Sequence, residues 1–167
     1  MKQVIFVRHA KSSWDYPELT DFERPLNKRG KRDAPFMGKL LLQLGFVPQL
    51  IVSSPALRAY FTARIIARQI DYPLEKLNTD ERLYEASASD FLKVINELKN
   101  GYSSVMLVGH NPGVTIAVNL LSNKSIENIP TAGIAVVKFN LNYWEEVEIR
   151  TGNLIALEFP KKYFKKS

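Results

Sequence analysis

Four short runs of continuous apolar residues, mostly β-branched, punctuate the chain at 4–7 (VIFV), 50–52 (LIV), 105–108 (VMLV) and 134–137 (IAVV). A strand without polar alternation is one covered on both faces. Between these runs the apolar positions return at helical spacing. In 27–44 they fall at Phe36, Met37, Leu40, Leu41 and Leu44, and the pattern stops at Gly45, a residue suited to the left-handed step after a helix. Pro35 lies inside this stretch, so the helix is expected to begin near it or to bend there. Ser54-Pro55 reads as a cap serine with proline in the first helical position, opening a helix to about Ile70 that buries Leu57, Phe61, Ile65 and Ile66. Ser89 is expected to cap a third helix through Leu98, and Pro112 to open a fourth that ends near Leu121. From Gly133 to Phe159 strand-like runs follow one another without a helix, so the last strands should pair as hairpins.

Strands alternating with helices in this order predict an α/β fold: a three-layer α/β/α sandwich around a mostly parallel sheet with an antiparallel edge. No repeat or low-complexity linker interrupts the 167 residues, which form a single expected domain, 1–167. A composition of 46% apolar and 24% charged residues is that of an ordinary soluble protein. No run approaches the ~18 apolar residues of a membrane span, and the opening residues lack the layout of a secretory signal. Cysteine is absent, which rules out disulfides and thiol chemistry and suits a reducing compartment. The expected location is the cytoplasm. The net charge of +6 raises the question of nucleic acid, but Lys161, Lys162, Lys165 and Lys166 in the 160–167 tail account for much of it. A solvated basic tail is the simpler explanation, and neither a nucleic-acid nor a membrane partner is expected.

Ligands of open α/β sheets bind outside the carboxyl ends of the strands. Three strand-to-helix junctions carry unusual residues there: VRHAKSS, with Arg8 and His9; VSSPALRA, with Arg58 on the first helical turn; and LVGHNPG, with His110. Both histidines of the chain and two arginines thus fall at one end of one sheet. Helix N-termini add free N–H groups and a positive dipole end, so the expected occupant is an anion, phosphate first. Each feature alone has a plain structural explanation, as a hydrogen-bond partner, a solvated arginine, a tight turn or a cap. All of them together would leave the only two histidines at neighbouring strand ends by coincidence.

In this order VRHAKSSW, SSPALRA and VGHNPG resemble the histidine phosphatase superfamily, whose members share a phosphoglycerate-mutase-like fold. The stretches ERPLNKRGKRDAP, LYEAS and PTAGIAVVKF add a similarity to the branch of the phosphohistidine phosphatase SixA, and the matches run from Val4 to about Phe139. The resemblance implies that His9 is a nucleophile that becomes transiently phosphorylated, with Arg8, Arg58 and His110 completing a phosphate pocket. Residue chemistry agrees. A histidine attacking phosphorus must be neutral, and flanking arginines disfavour imidazolium. The same cations clamp the equatorial oxygens of a transferring phosphoryl group.

Ser12, Ser13 and Asn111 could add neutral hydrogen bonds to phosphate or simply satisfy their loops. Arg24 could be a further anion contact or pair within its own loop. Thr131 and Gly133 are expected to bring a backbone edge to the pocket, and Trp14 and Tyr84 to belong to core or rim. Ala10 stands where most of the family has glycine. A general acid could be Glu85 of LYEAS, or Glu81, and either also reads as a surface carboxylate. An alkoxide leaving group needs such a donor; the imidazole of phosphohistidine can leave neutral. About thirty residues separate Arg58 from the end of LYEAS, too few for a helical cap over the pocket. The expected activity is therefore a metal-independent phosphatase without cofactor. Its expected substrate is a phosphorylated protein, with phosphohistidine on a signalling or phosphotransfer protein leading. A small-molecule phosphomonoesterase of the same fold and a non-catalytic phosphate-binding module are the alternatives.

Overall fold

The computed structural model describes residues 1–164. Its six strands are β1 (Lys2–Arg8), β2 (Leu50–Ser53), β3 (Asn78–Thr79), β4 (Ser104–Gly109), β5 (Ile134–Phe139) and β6 (Gly152–Glu158). They form one sheet in the order β3-β2-β4-β1-β5-β6. Strand β4 lies parallel to both β1 and β2, and β3 parallel to β2, while β5 runs antiparallel to β1 and to β6. The parallel centre and antiparallel edge are as expected.

Four helices cover the sheet: α1 (Lys28–Leu44), α2 (Leu57–Gln69), α3 (Ala88–Asn96) and α4 (Gly113–Leu121). Successive residues of β1 point to opposite faces. Val4 and Phe6 pack with Phe91, Ile95 and Val118 of α3 and α4. Ile5 and Val7 pack with Met37, Leu41 and Ile66 of α1 and α2. All of these side chains are almost wholly removed from water, each worth about 2 kcal/mol. These two apolar clusters bond the three layers.

Several boundaries differ from expectation, each for a local reason. Helix α1 runs unbroken through Pro35, from an Asn27 cap whose side chain accepts from the Gly30 amide at 2.9 Å to Gly45 in the left-handed region at φ 80°. The carbonyl that Pro35 cannot serve belongs to Lys31, an exposed position where water can replace the bond. Helix α2 begins at Leu57 with no side-chain cap. Ser54 Oγ accepts from Ala56 N at 3.2 Å and serves the turn instead. The buried face of α2 is also smaller than expected: Ala59, Thr62, Ala63, Ile66 and Ala67 are buried, with Leu57, Phe61 and Ile65 only partly so. Close approach to α1 explains this, since a Cβ on Gly38 would stand 2.8 Å from the Gln69 Cβ. Ser87, not Ser89, caps α3, because Asp90 returns the hydrogen bond to the Ser87 amide. Strand β3, two exposed residues, was not expected at all. The β5–β6 pair is joined by the long connection 140–151 with a 3₁₀ turn at Trp144–Glu146, rather than by a tight hairpin turn. The tail is partly folded: Phe164 packs against Phe36 at 4.6 Å between ring centroids. Lys165 and Lys166 lie outside the described residues.

Candidate active site

The sheet order explains why the three junctions meet. Strand β4 lies between β1 and β2, so the residues following all three strands emerge side by side. The His9 amide donates to Gly109 O at 3.0 Å and the Ser54 amide to Val108 O at 2.9 Å, carrying the ladder into the loops. After β1 the chain turns to the α1 face, and after β4 to the α4 face. The gap between β1 and β4 is therefore a topological switch point, where open sheets leave a crevice.

His9 and His110 are both buried, their rings 5.0 Å apart. His9 Nδ1 lies 2.7 Å from Ala10 O. A carbonyl only accepts, so Nδ1 carries the proton and the Nε2 lone pair is free. Burial pushes the His9 pKa down to about 3; the Ala10 bond opposes this, while His110, Arg58 and Arg8 add to it. Burial likewise lowers His110 to about 4, with Arg58 and Arg8 adding to the effect and Asp21 opposing it. Both imidazoles are neutral at physiological pH. His110 Nε2 meets Ser54 Oγ at 2.8 Å. With the serine hydroxyl donating, His110 Nδ1 carries the proton, and it is buried without a partner.

The arginines differ in role. Arg8 Nη1 donates to Ile129 O at 3.0 Å, while its Nε is buried and unpartnered; burial lowers its pKa. Arg58 is held by Asp21, with Nη1 donating to the Asp21 carbonyl at 2.6 Å and Nη2 to Oδ2 at 3.0 Å. Thr62 Oγ1 donates to Arg58 O and accepts from the Ala10 amide, tying α2 to the His9 loop. Asp21, Arg58, Tyr84, Glu85, His110 and Asn111 are among the residues lining a cavity of about 420 Å³. His9 is not on its lining and reaches the group through its contact with His110.

The other expected residues fall into two sets. Glu85 is on the cavity wall, in the left-handed region at φ 53°, where a non-glycine residue is uncommon. Glu81 is exposed on a 3₁₀ turn and does not line the cavity. Ser12, Ser13, Arg24 and Asn111 brace the loops beside the site. Arg24 Nε donates to Ser13 O at 3.0 Å, its Nη1 to Asp21 Oδ1 at 3.2 Å and its Nη2 to the Ser12 hydroxyl. The Ser13 hydroxyl accepts from the Asp15 amide. Asn111 Nδ2 donates to Asn128 Oδ1 and Ile129 O, and its Oδ1 accepts from Thr115, leaving the amide no free donor for phosphate. Trp14 is on the rim, largely exposed, with the Arg24 guanidinium 3.3 Å from its ring centroid. Tyr84 stands edge-on to His110 at 5.5 Å. The backbone of 130–133 does reach the site: Gly133 O accepts from the Arg8 amide, and His9 O from the Ala132 amide.

Two residues of the group were missed. Ser54 orients His110, which its capping signal concealed. Asp21 anchors Arg58, and only its i,i+3 spacing to Arg24 hints at a charge pair. Among the described residues no group of three or more His, Asp or Glu stands together as a metal site, and no helix is long and apolar enough to cross a membrane.

Residues 4–93 match the profile of the histidine phosphatase superfamily, branch 1. An uncharacterised chloroplastic protein of Arabidopsis thaliana is 34% identical over 159 residues, covering 90% of this chain and 72% of that protein. SixA from Agrobacterium tumefaciens superposes with a TM-score of 0.81 at 27% identity, covering 95% of this chain and 98% of that one. The protein histidine phosphatase SixA complexed with tungstate gives 0.78 at 21% identity, over 97% and 99% of the two chains.

Proposed function

The chain belongs to the histidine phosphatase superfamily, and on that premise we propose that it hydrolyses phosphohistidine on a protein, through a phospho-His9 intermediate and without a metal. The observation that carries this reading is the His9 ring itself: neutral, with Nδ1 tied to Ala10 O, and 5.0 Å from a second buried imidazole. His9 Nε2 attacks phosphorus in line with the substrate's P–N bond. The new N–P bond forms as the old one breaks, and the electron pair of the old bond stays on the leaving imidazole. That imidazole departs neutral when its other nitrogen is protonated, so this step needs no acid. Water then attacks phospho-His9, the electron pair returns to Nε2, and phosphate leaves with the oxygen from water.

Arg58 on the cavity wall supplies charge and donors to the equatorial oxygens, where positioning and electrostatics provide most of the catalysis, with His110 beside it on the wall and Arg8, off the wall and next to His9, adding its charge. Glu85 on the cavity wall would be the proton donor for oxygen esters. Two observations favour a phosphate carried on a protein. Between α2 and α3 the chain has only 3₁₀ turns and the two-residue β3, with no helical insertion to enclose a small metabolite. The tungstate-bound neighbour is described as a protein histidine phosphatase.

Incubation with a ³²P-phosphohistidine protein followed by an alkaline quench tests this directly. The expected label is acid-labile, alkali-stable and located on His9, and His9→Ala forms none. Label on any other residue, or hydrolysis surviving in His9→Ala, overturns the nucleophile. A strong preference for sugar phosphates over phosphohistidine overturns the substrate class.

A further inference from the structure

Asp21 lies in the 11–26 loop, far along the chain from every strand end, yet it is the most connected carboxylate of the site. Oδ2 accepts from Arg58 Nη2 at 3.0 Å and from the Tyr84 hydroxyl at 2.8 Å, and Oδ1 accepts from Arg24 Nη1 at 3.2 Å. The Asp21 backbone carbonyl takes a second Arg58 nitrogen at 2.6 Å. Burial would raise its pKa, but the bonds from Tyr84, Arg58 and Arg24 prevail and hold it at about 2. The charge is therefore permanent at physiological pH, and it faces the same cavity as Arg58 and His110.

We infer that Asp21 is a positioning residue with two linked effects: it aims the Arg58 guanidinium into the cavity, and its negative charge weakens the hold on inorganic phosphate so that product leaves. This rests on the phosphate reading of the pocket given above. Arg58 has five N–H groups; two are committed to Asp21, which leaves a free edge of the guanidinium for a phosphoryl group. A guanidinium anchored on one edge presents the other in a fixed direction, which is the condition for stabilising a transition state without reorganisation. The anchoring anion also repels a bound dianion and shares the cation with it. Position and affinity are thus traded against each other by a single carboxylate. A residue that merely closed the loop would behave differently, since its loss would weaken binding and turnover together.

The test is calorimetric titration with inorganic phosphate, beside turnover of p-nitrophenyl phosphate, on the unmodified chain, Asp21→Asn and Asp21→Glu. In Asp21→Asn the carboxamide keeps the shape and removes the charge. Its phosphate dissociation constant should fall about five-fold, while kcat falls about ten-fold as Arg58 loses its anchor. Asp21→Glu keeps the charge and moves it by one methylene. Its phosphate affinity should stay near that of the unmodified chain while kcat is reduced. Weaker or unchanged phosphate binding in Asp21→Asn overturns the inference. Should that variant not fold, weakened phosphate binding in Asp21→Glu overturns it equally. Absence of phosphate binding by the unmodified chain brings down the pocket reading as well. Phosphate binding that Asp21→Asn fails to tighten brings down this inference alone.

Discussion

The two histidines differ from the rest of the chain in how they answer to pH. Burial is the first cause at each, holding His9 near 3 and His110 near 4, whereas an unfolded chain would protonate both near pH 6.5. Between these limits the unfolded state binds more protons than the native one. Their contribution to stability is therefore complete above about pH 6.5 and drains away as pH falls towards 4. With two such sites the expected loss is roughly 2.5 kcal/mol per pH unit around pH 5. The depressed carboxylate of Asp21 adds nothing there, because an unfolded aspartate begins to take protons only below about pH 5. Urea denaturation at pH 7, 6 and 5 in phosphate-free buffer checks this. A free energy that is level from pH 7 to 5 would mean that the folded rings accept protons. The histidines were legible in the sequence because rarity and position marked them: two in the whole chain, both just past an apolar run. Asp21 had no such mark. It sits among Asp15, Glu18 and Glu23, at the start of the 3₁₀ turn Asp21–Glu23, and only the fold separates the one carboxylate that meets Arg58 from its neighbours.

Among the elements, α3 shows where sequence signals compete. Ser87 and Ser89 are both eligible caps for a helix beginning near 88. The decision falls to Asp90, three residues after Ser87, which bonds back to the Ser87 amide at 2.9 Å while Ser87 Oγ accepts from Asp90 N at 3.1 Å. Reciprocal satisfaction of two free donors is the capping-box signature, and the spacing of S-A-S-D at 87–90 carries it in the amino-acid order alone. Ser87→Ala should therefore cost about 1 kcal/mol, and Ser89→Ala under about 0.5 kcal/mol, in equilibrium unfolding. Equal costs at the two positions would refute the cap. Pro35 teaches the converse lesson. Its presence argues locally against a continuous helix, but the seam buried by Ala34, Met37, Gly38 and Leu41 is worth more than one lost bond at an exposed carbonyl. Tertiary burial prevails over a local breaker, and periodicity was the better guide than the proline.

Across the whole molecule, the two ends of the sheet have separate tasks. The carboxyl ends of β1, β2 and β4 deliver the candidate chemistry, but strand order cannot be read from four similar apolar runs; it emerges only when β4 inserts between β1 and β2. The amino ends are fastened by the 140–151 connection, which looked like a simple hairpin link. Trp144 is fully buried there, its Nε1 donating to Tyr102 O at 2.9 Å and its amide to Asn100 Oδ1 at 2.8 Å. Lys2 Nζ lies 5.3 Å from the Trp144 ring and donates to Asn100 O and Tyr102 O. Strand β1 separates this fastening from Arg8 by about 20 Å at its usual rise. Trp144→Ala should thus remove about 3–5 kcal/mol of stability through lost burial and an unfilled cavity. Turnover per folded molecule should stay within about two-fold, since additivity holds for sites this far apart. Paired measurement of unfolding free energy and active-site-normalised kcat tests the division. A variant that keeps its stability, or one that stays folded yet loses kcat in proportion, would show that the two ends are not independent.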